Sequence, residues 1–314
     1  MGRFLISRFA SAIPTLFLVA VTVFTLIRLV PGDPAALLLG DQADAADIAA
    51  LRERLGLDLS VVDQFLIWGR NILMGDFGQS IWLDEPVLPL ILERFMVSIQ
   101  IVLPAVLLAT VVAVPAGIIA AARQNSVTDI AFVSLATVLL SIPTFWLGLL
   151  LLLFFGLNMG WFPVVGYVSV TENPMTGLLY LVLPVTTLFL HELGSVIRMS
   201  RASTLEVLRL EYITHARAKG LKESTILRRH VFKNAFGPTL TLLGLILGNL
   251  LGGIAVIETV FTIPGLGRLM IDAIYARDYP VIQGCMLFIA FVYVVVNVVI
   301  DLLYSFFDPK VTAS

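Results

Sequence analysis

EYITHARAKG, residues 211–220, sits inside the one long, strongly basic connection between apolar segments of this chain. Residues 198–233 carry nine Lys/Arg (Arg198, Arg201, Arg209, Arg217, Lys219, Lys222, Arg228, Arg229 and Lys233) against three acids, Glu206, Glu211 and Glu223. Connections between packed helices are usually short and need nothing of this kind. A basic, helix-forming segment at a membrane face is either an anchor on anionic lipid or a docking element for a partner. The run 211–219 suits a helix. Gly220 permits positive φ and a sharp turn, and residues 221–234 read as a second helix. Tyr212, Ala216 and Ala218 are expected to form a small, partly apolar surface where another backbone comes near, which favours docking.

Composition explains why such a segment stands out. The chain is 59% hydrophobic and 13% charged over 314 residues, with mean hydropathy +0.98; soluble domains carry roughly 25% charge. It is therefore expected to be an all-α polytopic membrane protein, a single transmembrane domain over 1–314. Six stretches reach the about 20 apolar residues that a span requires: near 9–30, 97–122, 130–158, 178–199, 236–257 and 281–305. The first has Arg3 and Arg8 ahead of it like a signal peptide, but its apolar run exceeds the roughly 7–15 residues of a signal core and is read as a retained helix.

Placing the N-terminus in the cytoplasm puts 13 of the 20 Lys/Arg on that side. Arg28, Arg52, Arg54, Arg70, Arg94, Arg268 and Arg277 remain outside, so the positive-inside rule favours this orientation, and six spans return the C-terminus to the cytoplasm. The segment 200–235 is then cytoplasmic. Residues 31–96 form an external insertion: PGDPA (31–35) breaks the first helix, 44–55 reads as an amphipathic helix with Ile48, Leu51 and Leu55 on one face, and 60–73 as another with Phe65, Trp68 and Ile72. GDFG (75–78) ends it.

Other features carry two readings. Gly244, Gly248 and Gly252 form a small-residue stripe on the fifth span, which lets helix backbones approach closely, within the chain or against a second subunit. Pro104, Pro115, Pro143 and Pro184 interrupt the second, third and fourth spans, either as kinks around a pathway or as ordinary membrane prolines. His191 and Glu192 fall in the fourth span. A charge inside a span is costly, about 2.5–3.5 kcal/mol at a helix centre, which points to a pathway unless Glu192 sits wet near the inner interface. HELGS (191–195) is no zinc protease motif, because H-E-x-x-H requires a second histidine where Ser195 stands. With three histidines and the single Cys285 there is no thiolate-rich metal set. The sequence contains no G-x-x-x-x-G-K-[ST] phosphate loop and no nucleophile–base constellation.

The pattern E-Y-x-x-x-A-R-A-K-G, followed by R-H-x-x-x-N-A, resembles the coupling motif of ABC-importer permeases of the dipeptide, oligopeptide, nickel and glutathione branch. RLVPGDPA (28–35), LGLD (55–58), GDFGQS (75–80), SIPTFWLG (141–148), ETVF (258–261), PGLG (264–267), RDYP (277–280) and DLLY (301–304) resemble the same family along nearly the whole chain. The long segment after the first helix resembles the B-type, first permease of such systems.

The resemblance implies six helices of the type I importer fold in the inner membrane of a bacterium or archaeon, forming half of a pathway for peptides or a related small solute. A second permease, two ATP-binding subunits that hold the ATP and magnesium, and an external substrate-binding protein are the implied partners, with membrane lipid and no nucleic acid. It assigns ATPase coupling to Glu211, Tyr212, His215, Ala216, Arg217, Ala218, Lys219 and Gly220; Ser141 and Pro143, at the proline break of the third span, join His191 and Glu192 as pathway candidates. His215 replaces the family's usual threonine, and His191–Glu192 replace residues that are mostly apolar or small. The competing class is an ion-gradient-driven secondary carrier, which would lean on His191, Glu192, Asn297 and Asp301 and would have no use for 211–234. A membrane enzyme is disfavoured by the missing catalytic set.

Overall fold

A computed structural model describes residues 2–29, 44–54 and 57–307. The PGDPA break, Leu55 and Lys310, and the side chains of Ile48 and Leu51, lie outside the described residues. Among those described there are helices and no strand, only an isolated bridge between Gln79 and Pro86. Five helices are long and apolar enough to cross a membrane, and six when one sharply bent pair counts as a span.

The chain begins with α1 (Gly2–Leu29), followed by two short helices, α2 (Ala45–Arg54) and α3 (Val61–Leu73). Ser60 caps α3, its hydroxyl accepting from Asp63 N at 3.2 Å, so one orphan amide of the first turn is satisfied. Next comes α4 (Val87–Ala122), 36 residues and about 54 Å long. It starts ten residues before the apolar run at 97, so Arg94 is a helix residue and not part of a loop.

The third span is not one helix. It consists of α5 (Val127–Ser141) and α6 (Thr144–Leu151), the latter continued by π-helical turns over Leu152–Asn158, with a 95° bend between them. At 15 residues, α5 alone falls short of the about 20 that a bilayer requires. The cause is Pro143: it forces Ile142 out of the helical region to ψ 122°. Pro104, Pro115 and Pro184 lie inside continuous helices instead.

The bundle is built on α7 (Pro174–Leu208), opened by an Asn173 cap and Pro174 at its first turn. It packs parallel to α4. Gly117 makes this possible, since a Cβ there would lie 2.7 Å from Ser200 Cβ and 2.8 Å from Arg201 N. The Ser200 hydroxyl donates to Val114 O at 3.0 Å. After α7 come α8 (Glu211–Ala218), α9 (Glu223–Thr225), a π-helical turn (Ile226–Val231), α10 (Phe232–Gly253), α11 (Ala255–Val260), α12 (Leu266–Ala276) and α13 (Tyr279–Phe307).

The glycine stripe is resolved by α13. A Cβ on Gly244 would meet Ile300 at 2.8 Å, one on Gly248 would run into the Tyr293 ring, and one on Gly252 would touch Ile289 at 3.3 Å. The order of these pairs makes α10 and α13 antiparallel, and the stripe serves packing within the chain.

Two buried polar clusters fix the end of the bundle where α4 begins. Glu258 is fully buried and accepts from the Ser98 hydroxyl at 2.5 Å and from Arg268 N at 2.8 Å. Ser98 in turn accepts from Leu266 N at 2.9 Å, so the two side chains together cap α12. Asp278 accepts from Ser80 Oγ at 2.5 Å and from Trp82 N at 3.2 Å. It thereby ties the GDFGQS segment to the start of α13.

Candidate functional site

The opposite end of the bundle, where α7 emerges, carries the segment that opens the sequence. The basic stretch is less of a loop than its charges suggest: Arg198 and Arg201 belong to α7, which runs on to Leu208. Arg201 is an ion-pair residue. Its Nε lies 2.5 Å and its Nη2 2.7 Å from the two oxygens of Asp129, which is 3% exposed at the start of α5. Asp129 also accepts from Asn125 N at 2.9 Å. This bidentate clamp holds α5 against α7. The two residues are 72 apart in the chain, and no local pattern joins them.

After α7 the chain turns at Arg209–Leu210 and forms α8, two turns long. Lys219 and Gly220 end it, Gly220 with φ +78° and open space where a side chain would go. The expected helix–turn–helix is present, its second arm beginning at Glu223 and running without a break into the span α10.

One face of α8 is buried. Ile213 and Ala216 pack with Val207 from α7, Ile226 and Val231 from the π-helical turn, and Ala235 from α10. Here the structure corrects the sequence reading: Ala216 is 7% exposed and faces this core, so it forms no part of an outer surface. Glu211, Tyr212, Thr214, His215, Arg217, Ala218, Lys219 and Gly220 are exposed. Arg217 is not a free charge either, because its Nη2 donates to Glu223 Oε1 at 2.7 Å and its Nε to Oε2 at 3.2 Å. That hydrogen bond pushes the guanidinium pKa further above its ordinary value. Asn234 Nδ2 donates to the Tyr212 hydroxyl at 2.9 Å, closing the hairpin across its mouth.

The other sequence candidates lie apart from this hairpin. Ser141 and Pro143 are exposed at the break between α5 and α6 and line, with Ile142, Phe145 and Trp146, an open hollow of about 340 Å³. Glu192 stands midway along α7, well away from either helix end. It is 9% exposed, and the Ser195 hydroxyl hydrogen-bonds its backbone oxygen at 2.9 Å and its carboxylate at 3.2 Å. Neighbouring His191 keeps a buried Nδ1 without a hydrogen-bond partner. Among the described residues, no hydrogen bond joins Glu192 to Ser141, whose hydroxyl donates to Thr137 O at 2.8 Å. Among the described residues, no group of three or more His, Cys, Asp or Glu is placed to hold a metal ion.

Residues 113–313 match the family described as binding-protein-dependent transport system inner membrane component, and residues 1–102 match the N-terminal part of such membrane components. The chain belongs to this family. A protein of Brucella suis biovar 1 (strain 1330), named as a peptide transport system permease, is 42% identical over 99% of both chains. The glutathione transport system permease protein GsiC of Escherichia coli (strain K12) is 39% identical, again over 99% of both. In structure, the chain is similar to a chain of the MetNI methionine ABC transporter solved in inward-facing conformations. The TM-score is 0.55 at 15% identity, covering 69% of this chain and 96% of that one. At that identity the likeness shows a shared fold. As a family member, the chain is a multi-pass membrane component of a transport system, and α8 is a structural feature that its membrane spans do not themselves require.

Proposed function

We propose that this chain is one of two permease subunits of an ATP-driven importer, and that it forms half of an inner-membrane pathway for a peptide or glutathione-like solute. The solute class comes from the names of the full-length relatives. The bias of Lys/Arg puts 211–234 in the cytoplasm, where ATP-binding subunits reside, and the segment around 57–86 outside, where a binding protein delivers its load.

The observation that carries this reading is the construction of α8. Its outer face is exposed and polar, while Ile213 and Ala216 are embedded in a core shared by α7 and α10. ATP shifts a pathway between two states only through contacts that differ between them. A partner that moves α8 moves the ends of two spanning helices with it, because that small core leaves no independent way to yield. ATP and magnesium belong to the partner chains in this reading.

The test is co-purification and coupling. The wild-type chain, expressed with its neighbouring subunits, should co-purify with ATP-binding chains, and its uptake should need ATP. Ala218→Arg, which adds bulk and charge to the exposed face of α8, should leave membrane insertion intact and release the ATP-binding chains. Uptake by the chain without ATP-binding chains, driven by an ion gradient, would establish a secondary carrier instead.

A further inference from the structure

Two apolar stripes run along α3, and only one is covered. Phe65 and Trp68 turn toward α1, with Ile72 half-buried on the same side of the helix. The Phe65 ring centroid lies 5.1 Å from that of Phe24 and 6.2 Å from that of Phe17, and Trp68 lies 5.4 Å from Phe24. Phe24 is left 3% exposed. The Arg28 guanidinium sits over the Phe24 ring at 3.4 Å and donates to Gln64 Oε1 at 2.5 Å. The second stripe is Val62, Leu66 and Leu73, spaced i, i+4, i+11 on one side of the helix. These side chains are 67%, 61% and 90% exposed. Asp63 and Arg70, seven residues apart and so on a common side, carry the charge.

The depth of α3 says what covers the open stripe. Phe17 and Phe24 both belong to the apolar window Ala12–Leu29 of a membrane span. At 1.5 Å per residue they lie about 18 Å and about 8 Å from the Leu29 end of that span. Phe65 reaches inward between these two rings, while Gln64 meets Arg28, one residue from the end of the span, so the axis of α3 lies near the level where headgroups give way to acyl chains. Around it α1 is itself bare and apolar: Leu18 is 67%, Leu26 48% and Leu29 70% exposed. Asp63, Arg70, Gln64 and Asn71 share one side of α3 and its apolar residues, Ile67 excepted, the other, which is the pattern of an interfacial membrane helix.

We propose that α3 lies in the membrane interface, with phospholipid acyl chains covering Val62, Leu66 and Leu73 and with Asp63 and Arg70 among the headgroups. α3 is then a lipid-seated bracket on α1 that does not offer this face to a soluble partner. This assignment is independent of any role for α8.

Nitroxide labels on single cysteines test it. They are placed in turn at Val62, Asp63, Leu66, Arg70 and Leu73 of the complete transporter, in vesicles of phosphatidylethanolamine and phosphatidylglycerol. The native Cys285 is fully buried and does not compete for label. Retained transport activity certifies that each labelled assembly is intact. The oxygen-to-nickel-chelate collision ratio should be several-fold higher at 62, 66 and 73 than at 63 and 70. High nickel accessibility at all five positions would put α3 in water and overturn the proposal. Labels at 62, 66 and 73 that are immobile and shielded from both reagents would show a protein partner on the stripe and overturn it equally.

Discussion

Asn234 holds Tyr212 across the open end of the α8 hairpin: the side-chain amide of one donates to the phenol oxygen of the other at 2.9 Å, over 22 residues of chain. The same amide also donates to His230 O, within its own helix, at 2.9 Å. Tyr212→Phe therefore removes one bond and keeps the ring. The pair is exposed, so the loss is small, about 0.5–1.5 kcal/mol at most. Amide exchange across 212–219 should quicken several-fold, with α4 and α7 unchanged. Unaltered exchange in α8 would mean that the core around Ile213 alone holds the hairpin.

Gly220 is demanded by conformation and not by space. Its φ is +78°, and nothing lies within 4 Å of where a Cβ would be. A left-handed residue other than glycine costs roughly 1–2 kcal/mol, with Asn tolerated better and β-branched residues worse. ATP-driven uptake should therefore rank Gly220→Asn above Gly220→Ala, and Gly220→Val lowest. Asn is larger than Ala, so an order by size would defeat this account.

The legibility of these features in the sequence follows the range of the interactions. The Gly220 turn is local, and one residue type betrays it. The inward face of α8 was not visible, because an eight-residue helix with Ile213, Ala216 and Ala218 has small or apolar residues on more than one side. Only the partners Val207, Ile226 and Val231 select Ala216 over Ala218. Four prolines looked alike, yet only Pro143 breaks a span. Pro104, Pro115 and Pro184 stay inside continuous helices, so residue type alone does not mark the break. Asp129–Arg201 and Ser98–Glu258 join residues 72 and 160 positions apart, and each member alone reads as an ordinary polar residue near a helix end.

The glycine stripe should tolerate enlargement unevenly. Gly248 faces the Tyr293 ring with no room for a methyl group, Gly244 meets Ile300 at 2.8 Å, and Gly252 has Ile289 at 3.3 Å. Overpacking costs about 1–3 kcal/mol. Alanine at 248 should lower the thermal midpoint of the purified assembly most, alanine at 244 less, and alanine at 252 little. Equal effects at all three would argue against α13 as the partner of the stripe.

Glu258 should matter for the architecture of α12. It holds Ser98 Oγ and Arg268 N, and Gly265 lies so close that a Cβ there would run into the carboxylate. Glu258→Ala strands buried donors, each costing about 1–3 kcal/mol. Gly265→Ala should destabilise as well, by displacing the carboxylate from both donors. In the double variant the second substitution should cost less than it does alone, since its collision partner is gone. Additive losses in a double-mutant cycle would show that the two residues act separately.

Of the four buried carboxylates among the described residues, Asp129, Glu192, Glu258 and Asp278, Glu192 has the fewest hydrogen-bond partners. It stands midway along α7, 9% exposed, with one side-chain hydroxyl, that of Ser195, at 3.2 Å. A buried carboxylate so thinly supported detracts from stability, so packing does not account for its presence. Compensation by His191 is limited, because neighbours on a helix point about 100° apart. Glu192→Gln keeps the volume and an acceptor for Ser195 while removing the charge. The thermal midpoint should hold or rise, and basal ATP hydrolysis by the assembly should persist. Uptake of solutes with a free amino group should fall several-fold more than uptake of N-acetylated counterparts. That split separates a carboxylate that meets a cationic solute from one that only fills the bundle; equal uptake of both solutes by wild type and variant would assign Glu192 to packing after all.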